Sequence, residues 1–243
     1  TPKVAGFYIL HEGLVGVLGD NKLHEISYSS IRGEPPQTVK SKGGWLGITD
    51  KYWAATLIPN QQADLQARFA SAQAGAIDTY QTDYLLEATT VAPGGKAGMQ
   101  SRLFAGAKEV AIVDSYENAL GIKNFELLID WGWFYFITKP LFFVLDWFFR
   151  LTGNFGVAIL IVTVLIKILF FPLANKSYAS MARMKAVQPQ MLAIRDRYAD
   201  DKVKQQQAMM ELYRQEKINP ISGCLPIVIQ IPVFFALYKV LFV

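Results

Sequence analysis

Over residues 1–106 apolar and polar positions alternate in short β-branched stretches, for example at 4–10, 23–27, 51–58, 84–91 and 99–105. Gly, Pro and Asn/Asp clusters separate them: Gly19-Asp20-Asn21, 33–36, Pro59-Asn60 and 93–95. Alternation with period two puts every second side chain on one face of a strand, and the intervening residue types favour tight turns. The pattern predicts an antiparallel β domain, sandwich-like, within residues 1–124. Residues 108–120 change to a helical pattern, and Gly121 stands where a helix is stopped by a left-handed residue.

From 125 the periodicity changes again. Residues 125–151 are dense in Trp, Tyr and Phe but broken by Asp130, Lys139-Pro140, Asp146 and Arg150. Flat amphipathic rings suit the headgroup region, and Pro140 removes a helix donor. This segment, 125–152, is expected to be an amphipathic helix lying at a membrane interface; a spanning helix from about 141 is the competing expectation. An apolar run follows, bounded by Asn154 and Asn175 and close to the ~20 residues that cross a bilayer. It predicts a transmembrane helix at 154–174.

Residues 175–218 are polar and helical. Tyr178, Met181, Met184, Val187, Met191, Ile194 and Tyr198 recur every three or four positions. Ala199-Asp200-Asp201 is the expected turn, with an Asp as N-cap of the next helix, and Pro189 must kink or divide the first arm. Asn219-Pro220 ends the second arm, which runs to about 218. A second apolar span, 220–243, follows. Thus the pattern gives a multidomain α and β membrane protein: β domain, interfacial helix, span, helical hairpin, span.

Charge orients it. Residues 1–124 hold 11 Lys+Arg and 12 Asp+Glu, whereas 125–243 hold 13 and 8. The excess is concentrated in the hairpin between the two spans, where the positive-inside rule acts most strongly. The hairpin is therefore expected to be cytoplasmic and residues 1–124 outside, periplasmic in a cell with two membranes. Basic charges interleaved with membrane-length apolar runs point away from nucleic acid. Five of the six methionines (Met181, Met184, Met191, Met209, Met210) fall in the hairpin. Two uses stay open: packing between the arms, or a soft surface for varied apolar clients.

Lys167 is the one charge inside the first apolar run. An ammonium in hydrocarbon costs at least ~2.5–3.5 kcal/mol. It lies seven residues before Ala174, ~10 Å along the helix, in the inner-leaflet half. Helical side chains lean toward the N-terminus, so Lys167 leans toward Thr163 and away from the nearer interface. A water-filled inner-leaflet cavity is favoured over snorkelling or pairing with a carboxylate from elsewhere. Gln230, about ten residues into the second run, also needs a partner in hydrocarbon. Helix–helix glue is the plain use for it; a shared polar cleft with Thr163 and Lys167 is the other.

Little suggests covalent chemistry. One cysteine, Cys224, excludes an intrachain disulfide, and His11 and His24 stand apart from any metal-ligand grouping, so no cofactor is expected. There is no Ser/His/Asp set, Walker loop, dinucleotide fingerprint or HExxH. The chain shows no signal peptide, and both ends look cut.

Several spaced segments carry a resemblance: Gly43-Gly44-Trp45 with Lys51-Tyr52-Trp53-Ala54-Ala55-Thr56 and Pro59; Asp130-Trp131-Gly132-Trp133; Gly153-Asn154-Phe155-Gly156; and Lys167 with Phe171-Pro172-Leu173. Others are Tyr178-Ala179-Ser180-Met181 with Gln188-Pro189, and Asn219-Pro220 with Gly223-Cys224-Leu225-Pro226, Gln230, Pro232 and Ala236-Leu237-Tyr238. Together they resemble the YidC membrane protein insertases, in the Gram-negative form with a large periplasmic domain.

That resemblance implies an insertase and chaperone of the bacterial inner membrane, not an enzyme. Its clients would be nascent transmembrane segments, received alone or with the Sec translocon, with ribosome and membrane lipids as further partners. By the resemblance Lys167 matches the basic position of a positively charged groove, Thr163 and Gln230 polar positions, and Phe234 an apolar client contact. The hairpin would receive clients, and the β domain would be a supersandwich of sugar-binding ancestry. The family's commoner basic residue is arginine; lysine keeps the charge and loses the planar fork. A complete member is also expected to carry an earlier anchor, more β domain and further spans.

Two other classes remain to be separated. A transporter or channel component would use Lys167 as an ion or substrate site. A membrane-tethered sugar-active enzyme would need paired carboxylates, with Asp50, Asp64, Asp83 and Glu87 as candidates.

Overall fold

The computed structural model describes residues 10–199, 201–216 and 221–243, with side chains at 221–225 left aside. The expected stretch at 4–10 lies almost wholly outside the described residues, as does the expected stop at Asn219-Pro220, and of Cys224 only the backbone is described. Two compact units result, a β unit reaching Trp131 and a helical unit Gly132–Leu241.

The β unit is a sandwich of two antiparallel sheets. One holds β1 (Gly13–Leu18), β2 (Lys22–Ser27), β4 (Trp45–Thr49), β5 (Trp53–Pro59) and β8 (Ser101–Ala107), in the order β2-β1-β4-β5-β8. The other holds β3 (Gln37–Lys42), β6 (Asp64–Ala74) and β7 (Ile77–Leu86), in the order β3-β6-β7. Leu14, Leu18 and Leu46 from the first sheet meet Leu65, Ala67 and Phe69 from the second. A short helix α1 (Tyr28–Ile31), capped by the Ser27 hydroxyl, adds Ile31 to this core.

β1 is buried at every position. Leu14 and Leu18 point into the sandwich, so Val15 and Val17 lie on the opposite face, which is covered too. Trp45, directly opposite Val17 in the ladder, packs edge-on against Phe125 at 5.5 Å and donates its indole N–H to the Lys123 carbonyl. Phe125 belongs to a 3-10 turn, Phe125–Leu128, that packs with helix α2 (Val110–Leu120). Gly121 ends α2 at φ 64°, as its sequence position indicates.

One strand differs from expectation. The stretch at 84–91 is strand only as far as Leu86, which pairs with Leu65 at the end of the β6–β7 ladder. Residues 87–91 leave the sheet.

The helical unit contains α3 (Tyr135–Thr152), α4 (Phe155–Ala186) and α7 (Ile221–Val240), which pack on one another. The Gly153 αL cap and the Asn154 side chain, which accepts from the Val157 N–H at 3.2 Å, separate α3 from α4. α3 runs unbroken through Pro140, which is exposed and early in the helix. Its Thr138 and Leu145 are buried, while Trp133 just before it and Phe136, Phe143 and Trp147 on it are exposed. α4 continues through Pro172 and Asn175 into the hairpin, so no backbone break marks the expected end of the span at Ala174.

The hairpin's remaining arms are α5 (Gln188–Arg197) and α6 (Lys202–Gln215). Pro189 divides the first arm: Val187 closes α4, and the proline sits in the first turn of α5. Asp201 caps α6, its carboxylate accepting from the Lys204 N–H at 3.0 Å.

Candidate functional site

α4 is the one described helix long and apolar enough to cross a membrane, and 11% of its most apolar window is buried. A core helix of a soluble protein would be mostly covered. Here Ala158 and Val162 are buried, with Thr163, Ile166 and Phe170 partly covered. Leu160, Val164, Ile168 and Phe171 form an exposed stripe at three- and four-residue steps. α7 has the same character, with Ile227, Val228, Ile231, Phe234 and Phe235 exposed.

Polar side chains interrupt these apolar surfaces at the positions the sequence singles out. Lys167 is exposed at the edge of the α4 stripe, one turn after half-buried Thr163. On α7, half-buried Gln230 lies one turn before Phe234, which is 61% exposed. α4 and α7 pack against each other, so all four residues belong to one helix pair. Among the described residues, Thr163, Lys167 and Gln230 make no side-chain hydrogen bond or ion pair with one another or with any carboxylate. These polar groups on apolar helices are open to hydrogen bonding with water or with a peptide.

The hairpin divides its methionines. Met184 and Met191 pack around Val187 and Leu212, joined by Ile194 and Tyr213. Met181 and Met210 are exposed, the latter 65%. Met209 faces a groove of about 580 Å³ between the arms, shared with Met191 and Leu192. The expected stripe thus splits: its later members hold the hairpin together, whereas Tyr178 and Met181 stay exposed. Sequence periodicity missed the groove. Its floor includes Leu192, an apolar residue one step off the packing stripe, and Met209 from the other arm.

In the β unit the candidate carboxylates have structural occupations or face solvent. Asp83 takes a two-pronged contact from Arg68 (Nη2 to Oδ2 2.7 Å, Nε to Oδ1 3.0 Å) and a third bond from Gln81. These bonds hold its carboxyl below the usual carboxylate range, wrong for a general acid. Asp50 accepts from the Lys51 N–H. Asp64 and Glu87 line an open cleft of about 620 Å³ beside Lys40 and Lys42. His11 is buried, its Nε2 at 3.0 Å from the Leu14 carbonyl and its backbone N–H on Asp130 at 2.7 Å. Among the described residues no His, Cys, Asp and Glu group could hold a metal ion.

A β-sandwich followed by a helical unit with a membrane-length, uncovered apolar helix fits the class of membrane proteins with a folded domain outside the bilayer. Comparison with known families also divides the chain in two, with the division inside α3 rather than at Gly132. Residues 1–144 match the YidC periplasmic domain, and residues 147–243 match the 60Kd inner membrane protein family. The chain belongs to the YidC family. Its β unit falls within the periplasmic-domain match, and the apolar helix α4 within the inner-membrane-protein match. Among its relatives, the membrane protein insertase YidC of Nitrobacter hamburgensis is 62% identical over 252 residues, covering 100% of this chain and 41% of the relative. The insertases of Bradyrhizobium diazoefficiens (60% identical, 100% and 41% covered) and Beijerinckia indica (63%, 100% and 40%) are similar. The chain spans about two fifths of the length of these curated relatives.

Proposed function

We propose that this chain is the client-receiving part of a membrane protein insertase. The observation that supports it most is Lys167, an ammonium with no ion pair among the described residues, on an apolar, uncovered helix that packs against the helix carrying half-buried Gln230. Such a surface offers the polar flank of an entering segment a charge partner while its apolar residues meet Phe234 and the lipid. The names of the relatives describe insertion and no chemical reaction, and the reading involves no cofactor.

In this reading α4 crosses the inner membrane at 154–174 and α7 crosses it at 220–243. α3, within 125–152, lies at the periplasmic interface, and the basic hairpin 175–218 projects into the cytoplasm. Residues 1–124 form the periplasmic domain. Thr163, Lys167, Gln230 and Phe234 line an inner-leaflet groove, and the hairpin methionines offer the first apolar contact to clients. The Sec translocon and the ribosome are the partners that would deliver nascent segments.

The experiment is insertion of a single-span client with a short acidic translocated tail, into proteoliposomes holding the full-length parent. Wild type is compared with Lys167→Arg, Lys167→Ala and Lys167→Glu at equal protein levels. Insertion retained by Arg and lost by Ala and Glu supports an electrostatic groove. Equal insertion by all four would sink that role and leave the hairpin and local membrane thinning to act.

A further inference from the structure

The groove between α5 and α6 shares no residue with the Lys167 surface, and its methionines Met191 and Met209 are among those read above as client contacts. Its floor is apolar and adaptable: Met191 and Leu192 from one arm, Met209 from the other. Its charges are of one sign, Arg195 at the end of α5 and Lys202 at the start of α6, on either side of the hairpin tip. Glutamines complete the rim, and one of them, Gln205, is fixed across the arms by donating to the Arg195 carbonyl at 3.1 Å.

The two cations are uncommitted. Lys204, two residues after Lys202, is held by Asp201 at 3.2 Å, but among the described residues neither Arg195 nor Lys202 has an ion pair. The volume, about 580 Å³, falls within the ~300–1,000 Å³ of sites that enclose small ligands or a few side chains. A trough between two helical arms fits a third helix, read through anchors at i, i+3, i+4 and i+7. The lining has no aromatic residue for a base to stack on, which disfavours single-stranded nucleic acid. A recess between two arms also keeps its floor from a flat bilayer.

We propose that this groove docks an amphipathic helix of a partner protein, its apolar stripe on the Met191–Leu192–Met209 floor and its acidic end against Arg195 and Lys202. Met-rich floors repack around different side chains, so the charge at the tip sets the orientation of the helix more than its exact sequence.

The test uses the full-length parent in phosphatidylcholine nanodiscs, its native cysteines replaced, with a fluorophore on a cysteine at Gln206. The probe is a synthetic helix of about five turns (~18 residues) with a Leu/Met stripe and glutamates at one end. Controls carry lysines in place of the glutamates, or the same composition with the stripe scrambled. The glutamate peptide should bind at least about tenfold tighter than either control. The double variant Arg195→Glu, Lys202→Glu should reverse the preference, binding the lysine peptide instead, a gain that an unfolded hairpin could not produce. Equal binding of the glutamate and lysine peptides, or loss of both by the double variant, would overturn the proposal. So would a response confined to added phosphatidylglycerol vesicles, which would assign the tip to anionic lipid. Client insertion by these variants is scored separately, so failure here leaves the insertase reading standing.

Discussion

Gln61 clamps Gly44 from both sides of its peptide units: its amide nitrogen donates to the Gly44 carbonyl at 2.9 Å, and its amide oxygen accepts from the Gly44 N–H at 3.2 Å. The same amide nitrogen reaches the Pro59 carbonyl at 3.0 Å. Gly44 has φ 95°, and a Cβ there would run into the Val17 carbonyl. The clamp thus fixes a turn only glycine can make, immediately before Trp45, the buried residue that ties the sheet to Phe125. Gln61→Ala leaves part-buried backbone groups unpaired, at about 1–3 kcal/mol. We expect faster amide hydrogen exchange in β4 and β5, and a greater effect for Gly44→Ala. Unchanged exchange in both strands would show the clamp to be dispensable.

Arg68 and Asp83 stand directly opposite each other in the β6–β7 ladder. Hydrogen bonding to Arg68 lowers the folded-state pKa of Asp83. A carboxyl depressed in the fold contributes stability above its unfolded pKa of ~3.9, and that contribution is lost as pH falls through the folded value. Exposure of the pair keeps the effect small. Exchange in β7, corrected for intrinsic rates, should therefore rise more steeply on acidification below about pH 4 in wild type than in Asp83→Asn. Identical slopes would remove the pair from the account.

His24 gives a second acid sensitivity, at milder pH. Burial first, and the charge of Lys22 second, lower its folded pKa below the ordinary value of 6.5. The imidazole is then favoured neutral in the fold, so stability is complete above about pH 6.5 and declines as pH falls toward the folded value. The β1–β2 hairpin should lose protection as pH falls below about 6.5, while His24→Gln shows no such step. A step of the same size in the variant would point to another group.

How far the sequence carried these conclusions depended on how local the determinant was. Gly121, Asn154 and Asp201 were legible as helix punctuation because a cap acts within one turn. Lys167 was legible because a single charge in an apolar run is costly wherever the helix sits. β1 was not: Leu14, Val15, Val17 and Leu18 are covered on both faces, which erases the alternation that marks a half-buried strand. Pro140 suggested an interruption, yet α3 accommodates it early in the helix and on an exposed face. The Met209 groove depends on where two arms meet, and no spacing within either arm encodes that.

The last prediction concerns α3, whose length alone would fit either an interfacial or a spanning helix. Lys139, Asp146 and Arg150 punctuate it, and Arg150 is paired with Asp146 at 2.7 Å one turn away. Three of its exposed aromatics, Phe136, Phe143 and Trp147, follow helical spacing on one side, opposite buried Thr138 and Leu145, while exposed Phe149 lies on the other. A helix lying flat buries that side shallowly along its whole length, ~5–10 Å into the headgroup boundary. Nitroxides at single cysteines from 136 to 149, in the full-length protein with native cysteines replaced, report depth by oxygen against a polar nickel reagent. We expect a depth profile that oscillates with a period of ~3.6 residues around one shallow mean. A mean depth that instead changes steadily by ~1.5 Å per residue would make α3 a spanning helix and move Trp147 away from the interface.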